Sequence, residues 1–132
     1  MIHRVLKIGR WVADFLFCRK KYDVKGVLSC MYECGASGFA MDQAEDLMLT
    51  CDYNCGFTFA NPDSKRAVVV IGPASSGSEF TDTLVHEVHH LAVAIAAGLG
   101  VDLEGETPAY VSGDAARDLA DVICELGCRR CH

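Results

Sequence analysis

The sequence predicts an α+β domain in which a small antiparallel sheet packs on a layer of helices. Three observations carry this. The apolar residues change period along the chain, from strand-like runs to helical spacing. One helical run, over about 79–97, is long and one-sided, with Phe80, Leu84, Val85, Val88, Leu91, Ala92 and Ile95 recurring at three and four residues. The chain has 132 residues, 51% hydrophobic and 23% charged, which is enough apolar material for one core, and no repeat or linker divides it. A single domain over 1–132 follows.

Segments 2–8 (IHRVLKI) and 11–18 (WVADFLFC) have strand-like composition and are separated by Gly9-Arg10, so an opening hairpin or strand is expected. Asp23 is placed to cap a helix over about 24–34, closed by Gly35. A second helix over about 41–52 sets Met41, Ala44, Leu47 and Met48 along one side. After Gly56 the period changes. Phe57 to Ala60 and Ala67 to Ile71 flank Asn61-Pro62-Asp63-Ser64, which has turn chemistry, and this predicts another hairpin. Its second strand is apolar throughout and therefore central, while its first is short enough for an edge. Gly72 to Gly77 is a loop, Ser76 or Ser78 caps the long helix, and Gly98 and Gly100 end it. A final helix over about 108–126 has Thr107 as cap, Pro108 in the tolerated first position and Gly127 past its end.

Twelve Lys plus Arg stand against eighteen Asp plus Glu, a net charge of -6, and no basic run exceeds Arg19-Lys20-Lys21. That disfavours a nucleic-acid binder held by phosphate contacts. The longest nearly apolar stretch, Leu91 to Val101, falls well short of the roughly 20 residues that a membrane-spanning helix needs. The first residues mix charges through their apolar positions and show no secretory signal, so the expected address is the cytoplasm.

In that compartment the eight cysteines are expected to be reduced. Cys30 and Cys34, and Cys51 and Cys55, have a spacing that would staple a helical hairpin if oxidised, but buried free thiols are the expectation. The tail Cys128-Arg-Arg-Cys131-His132 has the formal pattern of haem attachment, and with Cys124 it offers a structural zinc set. Neither carries the functional argument.

The residues that point to a chemistry are His86-Glu87-Val88-His89-His90, an H-E-x-x-H inside the long helix. Four residues of α-helix turn about 400°, so His86 and His90 project one turn apart on nearly the same side, where two imidazoles can share a zinc ion. Glu87 then lies beside the metal, placed to hold a water and take its proton. From the chain's own His and Glu content the motif arises by chance with a probability of about 1%. The plain alternative is a helix with surface histidines. His89 is one position out of the ligand pair.

Two histidines leave a zinc ion underligated. The extended pattern H-E-x-x-H-x-x-G-x-x-H fails, because Val93 and Ala96 stand where Gly and His are required. Sixteen residues after His90, Glu106 opens the run Glu106-Thr107-Pro108-Ala109-Tyr110. This arrangement resembles the gluzincin metallopeptidases, above all their minimal, phage-type members, in which HExxH is followed by an ExxAY-type segment. The likeness covers about residues 57–120. It implies a zincin-like domain with one zinc ion held by His86, His90 and Glu106, and Glu87 as the general base. It also implies an edge strand ahead of the active-site helix that pairs with extended substrate, a place matched by Phe57 to Ala60. Glu104 and Asp102 are rivals for the third ligand. Tyr110 is assigned a catalytic part, orienting a ligand or donating to an oxyanion, with a packing tyrosine as the alternative. Asp114 can fix a histidine ring.

The expected function is therefore zinc-dependent hydrolysis of peptide (amide) bonds in a peptide or protein, with a partner protein completing the cleft if the small domain leaves it open. Two alternatives stand beside it. One is an inactive zincin-fold assembly or interaction protein with structural metal. The other is a cysteine-centred redox or metal-binding protein.

Overall fold

The computed structural model describes residues 1–99 and 106–127, with the side chains of 99, 106 and 107 excepted. The chain opens on β1 (Ile2–Ile8) and β2 (Trp11–Phe17). Gly9, with φ of 60°, makes the reversal between them in a conformation that strains any L side chain. Two helices follow, α1 (Val24–Glu33) and α2 (Gly38–Thr50). Their caps are the short polar residues such positions favour: Asp23 accepts from the Gly26 N–H at 3.1 Å, and Ser37 from the Ala40 N–H at 3.2 Å. The second hairpin is β3 (Gly56–Asn61) and β4 (Arg66–Ile71), and the long helix is α3 (Gly77–Leu99). Ser76 caps α3, accepting from the Glu79 N–H at 3.1 Å. The predicted final helix is divided at Leu119 into α4 (Glu106–Asp118) and α5 (Ala120–Gly127).

The class is α+β, as the sequence predicts, with one sheet of order β1-β2-β4-β3. The sheet is mixed where an antiparallel one was expected. β1 and β2 pair antiparallel from Ile2↔Phe17 to Ile8↔Trp11, and β3 and β4 from Gly56↔Ile71 to Asn61↔Arg66. Between the two hairpins β2 and β4 run parallel, from Val12↔Arg66 to Phe17↔Ile71. The reason is the connection. The chain leaves β2 through α1 and α2 and comes back through β3, so β4 meets β2 in the same direction, as a long crossover permits and a tight turn does not. β4 is central and β3 lies at the edge.

Alternation along the strands divides the core in two. Trp11, Ala13, Phe15 and Phe17 of β2 and Ala67, Val69 and Ile71 of β4 face α3, α4 and α5. There they bury Phe80, Leu84, Val88, Leu91, Ala92 and Ile95 of α3, with Val111, Ala115, Leu119 and Val122 behind. Leu16, Val68 and Val70 face the other way, against Val27 and Met31 of α1 and Ala44 and Met48 of α2. Helices thus cover both sides of the sheet, where a single helical layer was expected. An all-apolar central strand requires that second cover.

Cys51 and Cys55 form a disulfide, with Cα atoms 6.5 Å apart. The expectation of free thiols is corrected for this pair. Its residues do not share a helix face: Cys51 caps the end of α2, and the intervening turn, with Asn54 at φ of 64°, brings Cys55 back beside it. Cys124 is also disulfide-bonded. Cys18, Cys30 and Cys34 are free thiols, and Cys18 and Cys34 are buried. Cys128, Cys131 and His132 lie outside the described residues. Among the described residues, no helix is long and apolar enough to cross a membrane.

Candidate metal centre

The exposed flank of α3 beside β3 carries the H-E-x-x-H residues. His86 and His90 stand one turn apart with their Nε2 atoms separated by 3.1 Å and their rings edge to face, centroids 4.7 Å apart. Two nitrogens on a tetrahedral zinc ion, each bonded at about 2.0–2.1 Å, are about 3.4 Å apart, so the pair needs almost no adjustment to chelate one. Both rings are exposed, while Glu87 between them is buried at 4% exposure. Helical geometry explains the contrast, because Glu87 is rotated about 100° from His86, toward the sheet. Its Oε1 lies 3.9 Å from His86 Nε2. The ligand atoms of His86, Glu87 and His90 all lie within 4.8 Å of one another, so the trio can hold a metal ion.

A buried carboxylate needs a donor, and β3 supplies one. The Thr58 hydroxyl lies 3.0 Å from Glu87 Oε2 and 3.2 Å from the Glu87 carbonyl oxygen. This fixes one carboxylate oxygen and leaves the other turned toward the histidines. Gly56, on the same side of β3, lets the helix come close. A Cβ there would stand 2.7 Å from the Val70 carbonyl oxygen and 3.1 Å from Glu87 Cγ. The cleft between strand and helix, about 460 Å³, is lined by Gly56, Phe57, Thr58, Ala60, His86, Glu87, His90 and Ala94. Thr58 and Gly56 were missed from sequence. Their signal is the small-residue set Gly56, Thr58 and Ala60 at period two, with Phe57 and Phe59 on the opposite side packed against the α1/α2 core.

Replacing Thr58 with Val removes the donor while keeping the shape, so the Glu87 carboxylate loses a charge-assisted bond in a buried place. The expected cost is about 1–3 kcal/mol, read as a lower urea midpoint with unchanged slope. A midpoint equal to that of the unaltered chain would show that Thr58 does not hold Glu87.

The remaining residues singled out in the sequence are spread more widely. Glu106 is the first residue of α4, but its side chain, like Glu104 and Asp102, lies outside the described residues. Tyr110 is 66% exposed and lines a different cavity, with Trp11, Ile95 and Asp114 beside the β1–β2 turn. It is not among the residues that line the His86–Glu87–His90 cleft. Asp114 pairs with Arg117 at 3.2 Å. His89 is exposed, its ring 6.3 Å from that of His90.

A second metal-capable group lies on the opposite side of the sheet, where the ligand atoms of His3, Asp14 and Cys30 fall within 4.8 Å of one another. Asp14 is buried. Its Oδ1 is 2.8 Å from His3 Nε2, and its Oδ2 is 3.3 Å from an Arg66 guanidinium nitrogen and 3.8 Å from Cys34 Sγ. Burial pushes the Cys30 thiol up to about 12, with the Asp14 carboxylate adding to the effect, and burial raises Cys34 as well. Arg66 is raised too, chiefly by the Cys34 sulfur beside it.

Comparison with protein-family models, with characterised proteins and with solved structures found no match to this chain.

Proposed function

We propose that the chain is a zinc-dependent hydrolase of peptide bonds. The observation that carries this is the buried Glu87 carboxylate, held by Thr58 on one oxygen and directed by the other toward a paired His86 and His90. An acidic group is costly to bury, and a surface histidine pair has no use for one; a general base beside a metal does. His86 and His90 would hold the ion, with Glu106 as third ligand on the likeness to gluzincins, and zinc bound there would supply Lewis acidity toward a water and toward the scissile carbonyl. Glu87 is placed to orient the attacking water with Oε1, to accept its proton and to return it to the leaving amine, while Thr58 keeps the carboxylate from rotating away. β3, whose outer edge has no strand beside it among the described residues, receives the substrate as an added extended strand.

The placement of Tyr110 outside the cleft favours a second reading, a metal-holding interaction domain without catalysis. Glu87 separates the two, because only hydrolysis requires it.

Elemental analysis tests the metal itself. Zinc is expected in the purified chain, with one equivalent lost in His86→Ala and in Glu106→Gln and none lost when Cys128 and Cys131 are both changed to Ser. Zinc content that follows the cysteines and ignores His86 would overturn the proposal.

A further inference from the structure

We propose that His3, Asp14, Cys30 and Cys34 form a second metal site, one that takes a borderline-soft divalent cation such as zinc through mixed sulfur, nitrogen and oxygen ligands. The four residues come from β1, β2 and the C-terminal end of α1, where Cys34 is the cap, and they meet on the face of the sheet away from His86 and His90. Cys30 and Cys34 are one helical turn apart, the same i, i+4 relation that lets two side chains chelate one ion. Both are free thiols, and the two side chains interact. A zinc ion bonded to sulfur at about 2.3 Å and to oxygen at about 2.0 Å sets those ligands about 3.5 Å apart. The observed separation of Cys34 Sγ from Asp14 Oδ2 is 3.8 Å. His3 Nε2 and Asp14 Oδ1, at 2.8 Å, are joined by a hydrogen bond that an ion entering between them would replace.

Charge balance supports the assignment. Two thiolates and one carboxylate around a dication leave one negative charge, and the Arg66 guanidinium on Asp14 Oδ2 cancels it. Arg66 Nε is also the one buried side-chain nitrogen or oxygen among the described residues that lacks a hydrogen-bond partner. Metal binding releases the thiol protons and places anionic sulfur in the same cluster, where this N–H lacks an acceptor. His3 is half exposed and gives the ion a route in. Zinc is the natural occupant because the ligand set mixes soft sulfur with imidazole and carboxylate, which excludes magnesium and calcium.

The test is titration of the chelator-treated full chain with cobalt(II), followed by the sulfur-to-cobalt charge-transfer band in the near ultraviolet. The H-E-x-x-H site has no sulfur, and Cys124→Ser/Cys128→Ser/Cys131→Ser removes the thiols of the tail. In that background the band is expected to persist with His86→Ala and to vanish with Cys30→Ser/Cys34→Ser. Absence of the band in that background, or its survival when Cys30 and Cys34 are also changed, would overturn the proposal. Should that variant fail to fold, mass-mapped alkylation of the unaltered chain decides. Bound cobalt is expected to slow modification of Cys30 by about tenfold or more. Equal rates with and without metal, or recovery of Cys30 joined to Cys34 as a disulfide, would refute the site.

Discussion

Glu87→Gln is expected to lower peptide hydrolysis by about 10²- to 10⁴-fold, the range a positioned general base contributes, while leaving the metal in place. The substitution is nearly isosteric. A glutamine carbonyl still accepts from Thr58, so the fold around β3 and α3 is preserved, but the amide turned toward His86 and His90 cannot take a proton. Each tenfold loss corresponds to about 1.4 kcal/mol of transition-state stabilisation. The loss should therefore fall on kcat, with KM and zinc stoichiometry unchanged. Activity retained within a factor of two or three, in protein with full zinc, would remove Glu87 from the chemistry and leave the interaction reading. Substrate choice for this assay follows from the cleft: an unstructured protein such as casein presents the extended backbone that an open edge strand accepts.

The largest expected loss of stability follows Leu91→Ala. Leu91 is fully buried in the core between the sheet and α3. Truncation loses the transfer energy of the removed atoms and leaves a cavity that a packed interior only partly fills, about 2–5 kcal/mol in all. Against a total of roughly 5–15 kcal/mol for a domain, that is a large share. Val85→Ala on the same helix, at 63% exposure, is expected to change stability by no more than about 0.5 kcal/mol. Urea denaturation followed by circular dichroism reads both. Similar midpoints for the two variants would mean that α3 does not pack on the sheet through Leu91. Because His86 and His90 lie on the exposed flank, Leu91→Ala protein that remains folded should still bind metal.

Much of this was legible in the residues. Local chemistry determined the elements: Asp23 and Ser76 as caps, Gly9 as a turn, and the helical spacing of Phe80 to Ile95 all act over a few residues, and each is found where the pattern places it except Val85, which is exposed. The H-E-x-x-H pair was legible for the same reason, since i, i+4 on a helix is itself a three-dimensional relation. What the sequence concealed was non-local. Whether β4 runs parallel or antiparallel to β2 depends on how the chain crosses over, which no strand pattern encodes. The partner of Glu87 was hidden because Thr58 is far from it in sequence and becomes its neighbour only when α3 lies on β3. Tyr110, given a catalytic part by the E-x-x-A-Y likeness, lines the cavity beside the β1–β2 turn with Trp11 and Ile95, a place that no local pattern encodes. The disulfide between Cys51 and Cys55 was obscured by the expectation of a reducing compartment, and it forms across the turn after α2, which ends at Thr50, where the spacing had suggested one helix face.

The parallel pairing of β2 with β4 has a consequence for the order in which the molecule assembles. β3, β4 and α3 are consecutive in the chain, so Gly56, Thr58, Glu87 and the two histidines can find one another through short loops, at low closure entropy. The β2–β4 ladder must instead wait until the whole stretch from α1 to β3 has been drawn in, and contacts of that kind are the slow ones. The cleft thus draws on contacts of shorter sequence separation than the β2–β4 ladder, and the hairpin of β1 and β2, which carries His3 and Asp14, is expected to dock after it.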